Sequence, residues 1–199
     1  LAIANGYATL ADVKAALRVQ DTLEDSLLEV AIESASRLID GYTGRVFYNA
    51  GTVTRYYVPQ DSFTTDLDDY ISLSEVKTST NADSTFDVTW AATDYQVEPL
   101  NGIVDGVAFP TYRLRAVGNY LFPLFNQEAT VKVTGVAGWS SVPVTVKQAT
   151  IIQSLRIFKR LDSPLGVTFS EFGAARVSSR LDPDVAQLVD PLRRVRNIG

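Results

Sequence analysis

The period of the apolar residues changes twice along this chain, and that limits its fold more than any other feature. Up to about residue 40, and again from 144 to 161, apolar side chains recur at helical spacing; between 45 and 139 they fall in short β-branched and aromatic runs. Fifteen of the twenty aromatic residues lie between Val46 and Ser140. A β layer so placed needs its own small core, because the flanking helical segments supply few large side chains. The expected fold class is therefore α+β. A helical core drawn from the N- and C-terminal segments carries an inserted antiparallel β-rich domain and ends in an extended C-terminal arm.

The helical segments carry their own punctuation. Thr9-Leu10-Ala11-Asp12 resembles a capping box ahead of a short helix, and Thr22-Leu23-Glu24-Asp25 repeats the signal before a longer one. In the longer helix Leu28, Ile32, Ala35 and Ile39, joined by Leu27, Ala31 and Leu38, predict one broad buried stripe, with Glu33 and Arg37 spaced for an i,i+4 pair. Gly41 and Gly44 bracket its end. Pro143 opens a third helix whose buried face is expected to be Ile151, Ile152, Leu155 and Phe158. Asp182 and Pro183 then supply an N-cap and first-turn proline for a short fourth helix, which Pro191 ends. Between the third and fourth helices, residues 164–181 read as a polar arm with an extended pairing near 167–169.

Strands are predicted at 53–58, 71–79, 86–90, 95–98, 112–116 and 130–136, separated by proline, Asn-Gly and Asp-Gly turns. These elements suggest four parts: residues 1–48 as the first core helices, 49–128 as the β insertion, 129–162 as a strand and helix completing the core, and 163–199 as the arm.

Composition removes most chemistry. The chain has no histidine and no cysteine, which excludes Ser-His-Asp and Cys-His catalysis, disulfides and the usual zinc sites. No Walker loop, dinucleotide turn or nucleophile elbow occurs, so no cofactor and no enzyme activity are expected. No apolar run is long enough for a membrane span, and no charged-then-apolar leader is visible. With no methionine present, a leading residue is expected to have been removed or to be missing. Charge is uneven: residues 150–199 hold eight Lys/Arg against five Asp/Glu, and residues 1–149 hold ten against eighteen. An acidic body with a basic end argues against general nucleic-acid binding and for docking of the end on an acidic partner.

Three groups remain as candidate sites. Asp61, Asp66, Asp68 and Asp69 could hold a hard cation or serve a carboxylate-dependent hydrolase or carbohydrate-binding β domain; they could equally form a solvated loop, since EF-hand spacing is missing. Tyr120, Leu121, Phe122, Leu124 and Phe125 surround Pro123 in an apolar loop that either inserts against a neighbouring subunit or tail-side partner, or folds back over its own core. Arg176, Arg180, Arg193, Arg194 and Arg196 suit contact with an acidic protein surface, with Phe169 and Phe172 as anchors or as packing on the body.

Two passages then carry a resemblance. Residues 7–19, from Tyr7-Ala8-Thr9 to Leu17-Arg18-Val19, continue through Glu24-Asp25-Ser26-Leu27-Leu28 to Tyr42-Thr43-Gly44-Arg45. Ala137-Gly138-Trp139, Val142-Pro143 and the following helix form the second, and Asp182-Pro183-Asp184 with Pro191-Leu192-Arg193-Arg194 a looser third. Together they resemble the head–tail connector, or DNA-packaging adaptor, family of tailed bacteriophages. The β-rich stretch from about 50 to 128 departs from the compact members and looks like the insertion of larger adaptors. The resemblance implies a non-enzymatic virion protein of the neck, present in host cytoplasm during assembly. It implies a ring of about a dozen copies beneath the portal protein, extending a channel through which packaged DNA passes without specific binding. Residues 164–199 would face the portal, and the opposite side would dock a stopper or tail-completion protein. A stopper or tail-completion protein is itself the alternative reading within the same neck.

Overall fold

A computed structural model of the chain describes residues 3–81, 83, 85–125, 128–161, 167–170, 173–176 and 181–194. The chain divides into two compact units, Leu1–Arg45 with Val142–Gly199, and Val46–Ser141. The α+β class holds. The boundary does not fall at residue 128, because the strand that follows lies inside the sheet.

The first unit is helical. Its helices are α1 (Leu10–Leu17), α2 (Asp25–Thr43), α3 (Val144–Leu161) and α4 (Pro183–Val189), followed by a 3-10 turn at Asp190–Leu192. At the start of α1 the capping box closes both ways. Asp12 N–H donates to Thr9 Oγ1 at 3.2 Å, and Thr9 N–H to Asp12 Oδ2 at 3.0 Å. Helix α2 begins later than its Thr22 signal predicts: its N-cap is Glu24, with no side-chain cap. Lys14 Nζ fixes that start by donating to Asp25 Oδ1 at 2.6 Å and Asp21 O at 2.5 Å. Gly44, at φ 67°, ends the helix in the left-handed conformation.

The buried faces differ from the periodic expectation. Leu28, Ala31, Ile32, Ala35 and Ile39 of α2 are buried, but Leu27 and Leu38 are exposed. On α3 the buried residues are Val146, Ala149, Thr150, Gln153, Ser154 and Phe158, whereas Ile151, Ile152 and Leu155 are only half-buried. Small side chains let these helices approach closely. Buried hydroxyls are satisfied within their own helices: Thr150 Oγ1 donates to Val146 O at 2.8 Å and Ser154 Oγ to Thr150 O at 2.7 Å.

The second unit is a sheet. Its strands are β1 (Asn49–Tyr57), β2 (Thr64–Thr78), β3 (Val88–Trp90), β4 (Tyr95–Glu98), β7 (Thr111–Ala116) and β8 (Val131–Gly138), with β5 (Ile103–Val104) and β6 (Val107–Ala108) as a separate small hairpin. The main order is β1-β8-β2-β7-β4, all antiparallel, and β3 pairs with β2. Strand β8 is central, between β1 and β2. Alternate burial along Val131, Val133, Gly135 and Ala137 faces it to a core of Leu67, Tyr70, Val76, Trp90, Leu114 and Phe122. In the C-terminal part of the first unit, β9 (Val167–Ser170) and β10 (Gly173–Arg176) form a separate antiparallel hairpin where one extended pairing is expected.

Two glycines of β8 show why the sequence is constrained there. A Cβ at Gly138, whose φ is 98°, would lie 1.9 Å from Tyr48 O; one at Gly135 would lie 2.3 Å from Ser72 O. The close approach at Gly138 sets up Trp139, which stacks obliquely on Phe47 at 5.1 Å and donates Nε1–H to Asp69 at 2.8 Å.

Candidate assembly surfaces

The carboxylates at 61–69 are engaged one by one. Asp61 caps a turn, accepting from Phe63 N–H and Thr64 N–H at 2.7 Å each, and these bonds lower its pKa, Phe63 first. Along β2, Thr65, Leu67 and Asp69 are buried while Asp66 and Asp68 point to the other face. Asp66 pairs with Arg113, directly opposite on β7, at 2.5 Å. Arg113 also lies 3.6 Å from Glu98, which binds Arg115 at 2.8 Å, so alternating charges run across β2, β7 and β4. Asp68 binds Arg55 at 2.5 Å and Tyr57 Oη–H at 3.2 Å. Burial above all, then the contact with Tyr70, pushes Tyr57 up. Each acid therefore has its own basic, aromatic or backbone partner. Among the described residues no three such groups converge as metal ligands.

The loop at 120–125 divides by residue. Phe122 is 1% exposed and stacks face to face on Trp90 at 4.6 Å. Its backbone N–H donates to Ser62 O at 2.8 Å. Tyr120 tilts against the same Trp90, with centroids 5.3 Å apart, while remaining partly open. Leu121 and Leu124 are exposed, and Phe125 is half-buried. One side chain, Phe122, folds back on the core, while Leu121 and Leu124 face outward. The β5–β6 hairpin adds exposed Ile103 and Val107 beside exposed Leu100.

The C-terminal segment is also divided. Asp182 caps α4 by accepting from Asp184 N–H at 3.0 Å, and Arg156 of α3 pairs with Asp182. Val185, Val189 and Leu192 are buried in the helical unit. Past them the chain latches onto the end of α2. Tyr42 Oη–H donates to Asp190 at 2.5 Å, Arg45 Nε to Leu192 O at 2.7 Å, and Arg194 N–H to Thr43 O at 2.7 Å. The Arg193 guanidinium sits 5.3 Å over the Tyr42 ring. The Arg193 guanidinium and the Arg194 backbone N–H thus both belong to a latch at the C-terminal end of α2, where a cation such as that of Arg193 is favoured. Val167–Ser170 and Gly173–Arg176 place Phe169 and Arg176 on a hairpin whose register pairs Ala174 with Phe169 and Arg176 with Val167. Phe172, Arg180 and Arg196 lie outside the described residues.

A further surface was not expected from the sequence. Leu23 (89% exposed), Leu27 (47%), Val30 (44%) and Leu38 (40%) form an outward apolar stripe on and just before α2. The signal was present: apolar positions in α2 cover a wider arc than one packing face needs.

Residues 7–86 match the phage gp6-like head-tail connector protein family. No curated protein matches. Among solved structures, the neck of the empty gene transfer agent particle, computed with C6 symmetry, matches with TM-score 0.59 and 19% identity over 100% of this chain and 95% of that one. The neck of the native particle, computed with C12 symmetry, and its virion each match with TM-score 0.56, again at 19% identity and over 100% and 95% of the two chains. At this identity the likeness is one of fold.

Proposed function

We propose that this chain is a structural subunit of a particle neck: a head–tail adaptor that forms a ring beneath a portal, prolongs the DNA channel and docks the next neck or tail protein. The observation that carries this reading is the coincidence of two matches. The connector family covers residues 7–86, and a neck-particle chain shares the fold over 100% of this chain. Its mechanism is binding and positioning rather than catalysis, in keeping with carboxylates each held by a basic, aromatic or backbone partner.

Charge supports a passive channel. Residues 46–141 hold five Lys/Arg against eleven Asp/Glu, and the remaining residues hold thirteen against twelve. An acidic β unit repels phosphates and lets DNA pass without sticking. The hairpin carrying Phe169 and Arg176 is proposed to meet the portal, together with Phe172, Arg180 and Arg196 of the same C-terminal segment. Leu121 and Leu124 are proposed for a neighbouring subunit or the tail side.

Native mass measurement of the purified chain, alone and with portal rings, tests the reading. Ring-sized assembly or portal-dependent capture is expected. A chain that stays monomeric and ignores the portal would overturn it. Capture only by assembled heads already carrying an adaptor would instead identify a stopper.

A further inference from the structure

The buried faces of α2 and α3 mix small side chains with large ones, and further aliphatic residues are left outside. Ala31, Ala35 and Ser36 of α2 and Ala149, Thr150 and Ser154 of α3 are buried. Leu27, Val30 and Leu38 face outward on α2. On α3, Val144 is 82% exposed and Ile152 is half-buried, and they share the outward side with Lys159. Leu27 and Val30, three residues apart, with Leu38 on the same side, leave α2 an outward apolar surface of the kind that marks a contact.

The two outward faces differ in kind and match in layout. Phe158, near the end of α3, shares a core cluster with Leu28 and Ala31, near the start of α2, so the paired helices run antiparallel. At this shared end, the α2 side exposes Asp21 and Glu24, and the α3 side exposes Lys159 and Arg160. At the other end, Leu38 stands on one side and Val144 on the other. The 14 positions from Glu24 to Leu38 and the 15 from Val144 to Lys159 span about 21 and 22 Å at the helical rise of 1.5 Å. Acid therefore lies level with base at one end, Val30 with Ile152 near the middle and Leu38 with Val144 at the other end, with no shift along the helix axes.

We propose that the outward stripe of α2 is the seat of the α3 outer face of a second copy of this chain. Val30 meets Ile152 near the middle, Leu38 meets Val144, and Glu24 and Asp21 meet Lys159 and Arg160. The contact is heterologous: each copy offers α2 on one side and α3 on the other. That is the arrangement a closed ring requires and a two-fold dimer does not. The assignment rests on the ring reading above and names the surface through which the ring closes. Burial of the leucines and valines supplies affinity, and the charge match fixes which side meets which.

The absence of cysteine from the chain makes a direct test clean. In the full chain, Val30→Cys and Ile152→Cys together should give a ladder of covalent multimers under mild oxidation, at the concentration or portal-ring dose where the unmodified chain assembles. Either cysteine alone should give no ladder. Separately, Leu27→Glu with Val30→Glu should raise the assembly concentration at least about tenfold, about 1.4 kcal/mol per contact. A Glu24→Lys change should do so more weakly and be reversed by Lys159→Glu. Circular dichroism confirms that each variant is folded. Assembly of the unmodified chain with no ladder from the double variant overturns this surface and leaves the ring reading standing, as would a partner protein or the chain's own C-terminal segment covering α2. Dimers from one cysteine alone overturn the heterologous contact. An unmodified chain that is monomeric under both conditions overturns the ring and this surface together.

Discussion

At the scale of single residues, the best-supported sequence feature is the Thr9–Asp12 box. Asp12 also pairs with Lys147 of α3 at 2.9 Å, so a local cap doubles as a tertiary tie. The Lys147 contact first, then the Thr9 hydroxyl, lowers the Asp12 pKa from 3.8 to about 2. A folded-state pKa below the unfolded one gives stability that is full above about pH 4 and is lost as pH falls toward 2. Asp12→Ala is expected to destabilise the chain by about 1 kcal/mol at pH 7. Urea titrations at pH 7 and pH 2.5 check this: the gap between variant and parent should narrow at the lower pH, and an unchanged gap would show that the carboxylate charge is irrelevant. The aspartates of β2 teach the opposite lesson. Asp66 and Asp68 disfavour a strand by propensity, and the sequence places the strand only from residue 71, yet Arg113 and Arg55 across the sheet neutralise them.

At the scale of elements, burial separates residues that the sequence groups together. Phe122→Ala is expected to cost about 3–5 kcal/mol, because it empties the stack on Trp90. Leu121→Ser and Leu124→Ser should stay within about 0.5 kcal/mol, since both side chains already face solvent. Denaturant midpoints of the three variants read the contrast directly; equal losses would mean the whole loop is structural. The C-terminal segment divides in the same way. Reading residues 163–199 as one projecting arm predicts that their removal leaves the body folded, but Val185, Val189 and Leu192 belong to the core. Truncation after residue 180 should therefore lower the thermal midpoint sharply. Removal of 195–199 alone should leave it within about 2 °C, the shift expected from well under 1 kcal/mol. A stable truncation at 180 would contradict the latch formed by Tyr42, Arg45 and Arg194.

At the scale of the whole molecule, a continuous β unit with its own core interrupts the helical unit in sequence. The ends of the β unit meet: Asn49 pairs with Gly138 across β1 and β8. Residues 46–141, expressed alone, should consequently fold as an independent sheet protein with a cooperative thermal transition. Far-UV circular dichroism and dispersed amide NMR signals check this, and an unfolded spectrum would show that the sheet needs the helices. The division also sorts charge, with the acidic excess held by the β unit while the helical unit is nearly neutral. The basic excess noticed at the chain's end is therefore shared with α3 and a latch rather than concentrated in one binding tail.

By itself the sequence determined the local events: the capping box, the α3 and α4 starts, the glycine stop of α2, and the succession of helix, strand and helix. These depend on contacts a few residues apart, and the resemblance to head–tail connectors rests on the same local motifs. The periodicity also marked the buried Leu28, Ala31, Ile32, Ala35 and Ile39 of α2, but tertiary structure alone decided how far each buried face extends. Periodicity cannot distinguish a bulky apolar stripe that packs on its own chain from one that waits for another copy. On α2 and α3 the hydroxyls of Ser36, Thr150 and Ser154 are satisfied by their own helices, so these small residues can share the interior with Leu28, Ile32 and Phe158. Leu27, Val30 and Leu38 are left outside. The same holds for β8, whose pattern announced a strand but whose partners, β1 and β2, are set by pairing across more than fifty residues of intervening chain.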